Sequence, residues 1–418
     1  MDELAINGGL KACPAGSIPA WPQYDQSEEA ALLRTLHSGR WWRIPGSEVD
    51  GFEREFARLH EVDHALCVTN GTQAIELALD CLDIGFGHEV IVPAFTFAST
   101  ITAVLHAGAT PVVVDVDLDT YCMSVPALAR AITPRTRAVI PVHLAGHACD
   151  MDGILALARE HEIRVIGDAA HAHGARWRGA SVTRGADMSI FSFQSGKLMT
   201  AGEGGAVLFD DLALAEKAWL KTSCGRPRSD RKYEHVELGT NMRMSEFQGA
   251  ILGAQLARFP EQLQERERAA RRLDELLQRL PGLHVQARHE GVTVHSHYMY
   301  MVRVDESAGI RRDDLVEALI AEGVPAYFAY KALPDLPLFA RESLWAGAVP
   351  SPLGAEHVRE AVRRHDVTNA RRLAAQSLWL HHCVLLGGAT VQNAVAAAFE
   401  KILRHTGYAA PPLRAAAG

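Results

Sequence analysis

The 418 residues are 48% hydrophobic and 22% charged, the composition of a soluble globular protein, and the length suits two or three domains. The net charge of -8 excludes the basic footprint of a nucleic-acid binder, so any anionic ligand has to be held by local groups. The N-terminal stretch lacks the basic, apolar and cleavage-site succession of a signal peptide, and no apolar run is long enough to cross a bilayer. Seven scattered cysteines without a CxxC pair read as reduced thiols. The expectation is a cytoplasmic protein.

After an N-terminal arm (1–30), the pattern predicts a large domain over 31–255. Within it, strand-like runs occur at 64–68, 89–93, 110–116, 137–143, 163–168, 188–193 and 205–209. Helical segments such as "TQAIELALDCL" and "MDGILALAREHE" separate them. Strand and helix in alternation imply crossover units and a mainly parallel sheet covered on both faces, an α/β fold. In such sheets ligands sit at the carboxyl ends of the strands. A long, charged, amphipathic helical pattern follows at 241–282, then a smaller α+β domain, assigned to 256–410, and a loose tail at 411–418.

Three strand ends carry chemistry. After the first, Asn70, Gly71 and Thr72 stand where strand turns into helix, so free N–H groups and the helix dipole favour a phosphate. An ordinary glycine turn with Thr72 as N-cap is the alternative. After the fifth, Asp168 ends a buried strand, where a carboxylate requires a positive partner, either a protonated ring nitrogen or a lysine. His171 and His173 lack the companions of a zinc signature, so no metal is expected. After the sixth, "FSFQSGKLMTAGEGGAV" holds Lys197 in uncharged surroundings, in a chain with only seven lysines.

A phosphate cup, a buried carboxylate and an isolated lysine are together what pyridoxal 5'-phosphate requires. Its phosphate is anchored, its ring nitrogen kept protonated and its aldehyde joined to an amine as a Schiff base. Phe97 or Phe95 is a candidate to stack on the ring, and Ser192 can reach the phosphate. A nicotinamide-dependent oxidoreductase would need a GxGxxG turn that "TNGTQA" lacks.

The ordered motifs "TNGTQAIELAL", "VIVPAFTFAST", "DAAHAHGA", "FSFQSGKLMTAGEGGAV" and "GTNMRMSEFQGAILGAQL" resemble the DegT/StrS family of sugar and cyclitol aminotransferases over roughly residues 20–330. The resemblance implies a fold-type I pyridoxal phosphate-dependent transferase with a mainly parallel seven-stranded sheet and a smaller C-terminal α+β domain. It implies that Lys197 carries the cofactor and moves protons, that Asp168 contacts the pyridine nitrogen and that His171 approaches the ring hydroxyl. Gly71, Thr72 and Ser192 would hold the phosphate, and Phe97 would stack on the ring. Asn241 would reach the cofactor of a neighbouring subunit, which makes the protein a homodimer with shared sites. "GRWWRIPGSEVDGFEREFARLH", "SCGRPRSDRKYEH" and "SHYMYM" are similar to a narrower group, the 3-amino-5-hydroxybenzoate synthases, with Ser195 where that group more often has Asn. Their substrates are small carboxylated rings, so Arg43, Arg226 and Arg228 are candidates for a carboxylate clamp. The implied reaction is dehydration and aromatisation of an aminated shikimate-type carbocycle. The alternatives are transamination of a keto-sugar or keto-cyclitol, with glutamine or glutamate as donor, or amination of dehydroshikimate toward 3-aminobenzoate.

Overall fold

The computed structural model describes residues 3–228, 232–341, 344 and 354–405. Its strands run in chain order from β1 (His64–Val68), β2 (Glu89–Pro93), β3 (Thr110–Val114), β4 (Thr136–Val139) and β5 (Arg164–Asp168) to the short β6 (Arg176–Trp177) and β7 (Ala180–Ser181). β8 (Met188–Ser192), β9 (Gly205–Phe209), β10 (Leu283–Val285), β11 (Val292–Val294), β12 (Met299–Val304), β13 (Ala326–Phe328) and β14 (Ser377–His381) follow. The seven-stranded sheet has the order β1-β9-β8-β5-β4-β2-β3. It is parallel from β3 to β8, and β9 runs antiparallel to both of its neighbours. Every residue of β2, β3, β8 and β9 is buried, as the continuous apolar runs predict for a sheet covered on both faces.

All seven strand-like runs form strands of this sheet. The fourth stops at Val139 instead of continuing to residue 143, because Pro141 has no N–H to give to a ladder. The ribbon of β6 and β7 pairs with β11, and β10, β12, β14 and β13 build a four-stranded antiparallel sheet. The helix Glu246–Leu277 runs unbroken through residue 255 and serves two cores. Phe259 packs with the large sheet, whereas Leu273 and Leu277 pack with the smaller one. The expected divide near 255 thus falls inside a helix that both cores share. Ala332, Phe339, Val358 and Leu373, from the C-terminal part, also pack into the large core. The tail 411–418 lies outside the described residues. No described helix is long and apolar enough to cross a membrane.

The N-terminal segment is tied to the C-terminal region through the buried Glu322. Its carboxylate accepts from Ala5 N–H at 2.8 Å, Ala12 N–H at 2.9 Å and Lys401 Nζ at 2.8 Å. Cys13 fills the smaller core beside it. Loss of this charge-assisted set is expected to release residues 3–13 first. Glu322→Ala should lower stability by about 2 kcal/mol or more in a thermal melt, and limited proteolysis should then cut within that segment. Unchanged protection there would show that the apolar contacts hold it alone.

Candidate active site

Sheet register brings the chemical motifs to one edge. β5 and β8 run parallel with Asp168 opposite Ile190, so this carboxylate and the segment after Ser192 leave the sheet together. β9 returns antiparallel with Gly205 opposite both Ser192 and Val68, which sets the end of β8 beside the turn that follows β1. In that turn Asn70 caps the helix Gly71–Cys81 by accepting Gln73 N–H at 2.9 Å. The cap is therefore Asn70 and not Thr72, whose hydroxyl faces Ser99 Oγ at 2.7 Å. A Cβ on Gly71 would lie 2.8 Å from Ser192 Cβ, and a Cβ on Gly205 would lie 2.5 Å from the Asn70 carbonyl. Only bare backbone fits, and a helix N-terminus lined by hydroxyls results, a cradle suited to phosphate.

Asp168 is 5% exposed, and its oxygens accept from Thr100 Oγ1 and from Ala170 N–H, both at 3.1 Å. Burial raises its pKa, while the Ala170 N–H, the Lys197 charge and the Thr100 hydroxyl act the other way. Lys197 lies in the turn between β8 and β9, half-buried, and desolvation brings its amine down to about 7 against the pull of Asp168. Each charge feels the other, yet among the described residues no ion pair within 4.0 Å joins them. A direct Asp168–Lys197 bridge is therefore not what compensates the carboxylate. The two groups act on each other without pairing, which leaves Asp168 for a cationic ring nitrogen and Lys197 for an aldehyde, and with the phosphate cradle the residues present fit pyridoxal phosphate.

Aromatic rings line the space around the amine. Lys197 Nζ stands 4.2 Å from the Tyr298 ring centroid, and Tyr298 is 4.4 Å from His171. Tyr330 lies nearly parallel to His171 at 6.3 Å and is 6.1 Å from Phe97. Phe95 is fully buried whereas Phe97 is 56% exposed, so Phe97 is the ring free to meet a ligand. Burial, reinforced by the Lys197 charge, holds His171 neutral. Its Nδ1 accepts from Ala145 N–H at 3.4 Å, which leaves the proton on Nε2 as a donor. His173 instead sits among Phe56, Phe191, Phe193 and Phe259 as a core residue. Among the described residues no group of three or more His, Cys, Asp or Glu side chains could hold a metal ion.

Sequence reasoning missed Thr100, Tyr298 and Tyr330. Thr100 lies inside the motif "AFTFAST", where its helical start at Ser99 could have flagged it, and Tyr298 lies in "SHYMYM". Tyr330 carried no local signal.

Arg43 requires correction. It is 2% exposed and bonds both oxygens of the buried Glu53, at 2.7 and 2.6 Å, with Asp50 at 3.0 Å. A guanidinium so committed is a structural ion pair, not an open clamp for a substrate carboxylate. Arg228 is exposed and lies 3.8 Å over the Trp219 ring, on which Arg43 also lies at 5.1 Å. Arg226 lies 4.1 Å over Tyr233. Asn241 is exposed, bridged through its backbone to Ser223, with its Oδ1 accepting from Arg243 N–H at 3.2 Å. No described contact joins Asn241, Arg226 or Arg228 to the Lys197 cluster within this chain.

In cofactor-free protein, acylation of Lys197 should follow a pH midpoint near 7, while ordinary lysines titrate at about 10.4. Asp168→Asn removes the charge that favours the protonated amine, so the midpoint should fall further. Peptide mass spectrometry of protein labelled across this range measures both, and an upward or absent shift would separate the two groups.

The pattern of the DegT/DnrJ/EryC1/StrS aminotransferase family matches residues 23–399. The chain is 45% identical over 389 residues to 3-amino-5-hydroxybenzoate synthase of Amycolatopsis mediterranei (strain S699), covering 93% of this chain and 97% of the relative. It is 39% identical over 420 residues to L-glutamine:2-deoxy-scyllo-inosose aminotransferase of Streptomyces fradiae, covering 96% and 98%. Its fold superposes on the crystal structure of 3-amino-5-hydroxybenzoic acid synthase with a TM-score of 0.85 at 44% identity, over 93% of this chain and 99% of that one. The cradle, the buried carboxylate and the ordered motifs have the same meaning as these likenesses: the chain belongs to the DegT/DnrJ/EryC1/StrS aminotransferase family of pyridoxal phosphate-dependent enzymes.

Proposed function

We propose that the enzyme acts on a carboxylated, shikimate-type carbocycle bearing an amine or ketone, and converts it to an aminated aromatic acid as a 3-amino-5-hydroxybenzoate synthase does. The observation that carries this reading is 45% identity to such a synthase over 93% of the chain. Gly71, Thr72 and Ser192 would hold the phosphate of pyridoxal phosphate and Asp168 would face its ring nitrogen, and the group would supply an electron sink for the carbon next to the substrate nitrogen.

The chain's own groups supply the rest. Lys197, with its amine brought down to about 7, is neutral often enough to take a proton from carbon and acidic enough to return it. Asp168, held by Thr100 and Ala170, would face the ring nitrogen. His171 offers Nε2–H, and Phe97 and Tyr298 provide flat apolar surfaces. The hydroxyl leaves as water with the proton that Lys197 carries, and a shift of a second proton from ring carbon to ring oxygen leaves an aromatic ring, whose stability drives the reaction forward. Arg226 and Arg228 remain candidates for the substrate carboxylate, placed by dimer formation and not by this chain alone.

A second reading, transfer of an amino group from glutamine to a keto-cyclitol, is favoured by the 39% identity to an L-glutamine:2-deoxy-scyllo-inosose aminotransferase. One experiment separates them. Purified enzyme is incubated with aminodehydroshikimate, with dehydroshikimate plus glutamine, or with glutamine plus a keto-cyclitol or keto-sugar, while aromatic absorbance and amine transfer are followed. Aromatic product should appear with the first substrate, disappear in Lys197→Ala and require more substrate in Arg228→Ala. Turnover confined to the keto-cyclitol or keto-sugar would replace the first reading by the second.

The protein is also proposed to be a cytoplasmic homodimer that shares its active sites. Tyr24, Trp41, Trp42 and Ile44 are 79%, 52%, 50% and 38% exposed, an apolar face beside the helices Gln26–Ser38 and Glu246–Leu277. A second copy covering that face accounts for its exposure and gives the exposed Asn241 a partner's site to enter. Sedimentation equilibrium should return twice the 45.5 kDa chain mass. Monomers at micromolar concentration would remove Asn241 from any shared site.

A further inference from the structure

The long helix buries an arginine with no carboxylate in contact, the charge of the neighbouring Glu265 acting on it only at range. Arg266 is fully buried, its Nε and Nη1 have no hydrogen-bond partner, and among the described residues it forms no ion pair. Holding a guanidinium out of water without a contact ion pair is costly, and burial is the largest influence on it, a cost that an apolar side chain of similar volume would avoid. Its surroundings indicate what the charge is for. Nη2 lies 3.5 Å from His382 Nδ1, and the guanidinium stands 5.4 Å from the Trp21 ring centroid. Trp21 in turn meets the His382 ring edge-on at 4.4 Å.

Guanidinium only donates, so His382 Nδ1 accepts and its proton resides on Nε2. Nε2 lies 3.2 Å from the carbonyl oxygen of Gly196, the residue before the lysine. Trp21 Nε1 donates to the Ser195 carbonyl at 3.0 Å, and the Gln194 carbonyl accepts Lys197 N–H at 2.8 Å. The three carbonyls that lead into Lys197 are thus held by an N-terminal tryptophan, a C-terminal histidine and the turn itself.

We propose that Arg266, His382 and Trp21 are positioning residues for Lys197: the buried guanidinium sets the His382 tautomer, and His382 and Trp21 then fix the backbone from which the lysine reaches the cofactor. Neither His382 nor Trp21 touches the reacting atoms in this scheme. They convert the packing of the N-terminal segment and the C-terminal sheet into the orientation of one amine. A small misplacement of such a group lowers rate strongly while leaving the fold intact. The proposal rests on Lys197 being the cofactor-bearing residue.

The test uses holoenzyme without substrate. The cofactor is fixed to protein with borohydride, the labelled peptide is identified by mass spectrometry, and cofactor dissociation is timed alongside a thermal melt. Wild type should label Lys197. His382→Leu should release cofactor about tenfold faster or more, with a melt close to wild type, and His382→Gln, which keeps a donor near Nε2, should restore most of the retention. Arg266→Met should behave like His382→Leu. If His382→Leu or Arg266→Met does not fold, Trp21→Phe keeps the ring packing and removes only the Ser195 bond, and it should still release cofactor several-fold faster. Equal retention in His382→Leu and wild type, equal retention in Trp21→Phe where that variant is the readout, or no rescue by His382→Gln would overturn the proposal. A wild type that labels elsewhere than Lys197 would instead overturn the cofactor assignment.

Discussion

A lysine and an aspartate, both drawn out of water at the same edge of one sheet and kept from closing into an ion pair, are the constraint around which this protein is arranged. Either charge alone would be costly, and a direct bridge would satisfy both while leaving no room for chemistry. The chain avoids the bridge by giving Asp168 other donors, Thr100 and Ala170, and by holding Lys197 over Tyr298. The amine is left with a pKa of about 7, poised for proton transfer in neutral solution.

The sheet exists in a form that serves this separation. A purely parallel succession would carry the chain away after β8, whereas the antiparallel return of β9 folds the lysine turn back beside the helix that opens at Gly71. That return is possible only where side chains are absent. Gly205 passes the Asn70 carbonyl and Gly71 faces Ser192 at distances no Cβ could occupy. The glycines thus bring phosphate cradle, acid and amine to one edge.

Charge placement away from that edge follows a different logic. Arg43 and Glu53 meet bidentately in the interior, and Glu53 also receives the Cys67 N–H at 2.5 Å, so the pair fastens the segment before β1 to the sheet. The helix Glu48–Leu59 has no side-chain cap from its own Ser47; the Glu246 carboxylate, distant in sequence, accepts the Ser47 and Glu48 N–H groups at 2.6 Å. Arg266 is the exception, a buried cation with no acid in contact, touching the histidine that holds the lysine turn. Buried arginines in one chain therefore have opposite uses, and only their partners distinguish them.

The seven strands, the helices between them and the location of Lys197, Asp168 and Gly71 at strand ends were legible in the chain, because hydrophobic period and glycine placement are local properties. So was the family, whose motifs are contiguous. Val139 ending β4 was not anticipated although Pro141 announces it, and Asn70 as cap could have been read from the same turn. What sequence could not supply was every relation formed at long range. Arg43 looked like a free arginine until Glu53 closed on it, Tyr330 became part of the site only by folding back on His171, and residue 255 proved to lie inside a helix shared by two cores. Residue type and spacing determine which groups are available and which elements carry them, but the distance between two side chains far apart in the chain is settled only when packing chooses a partner for each.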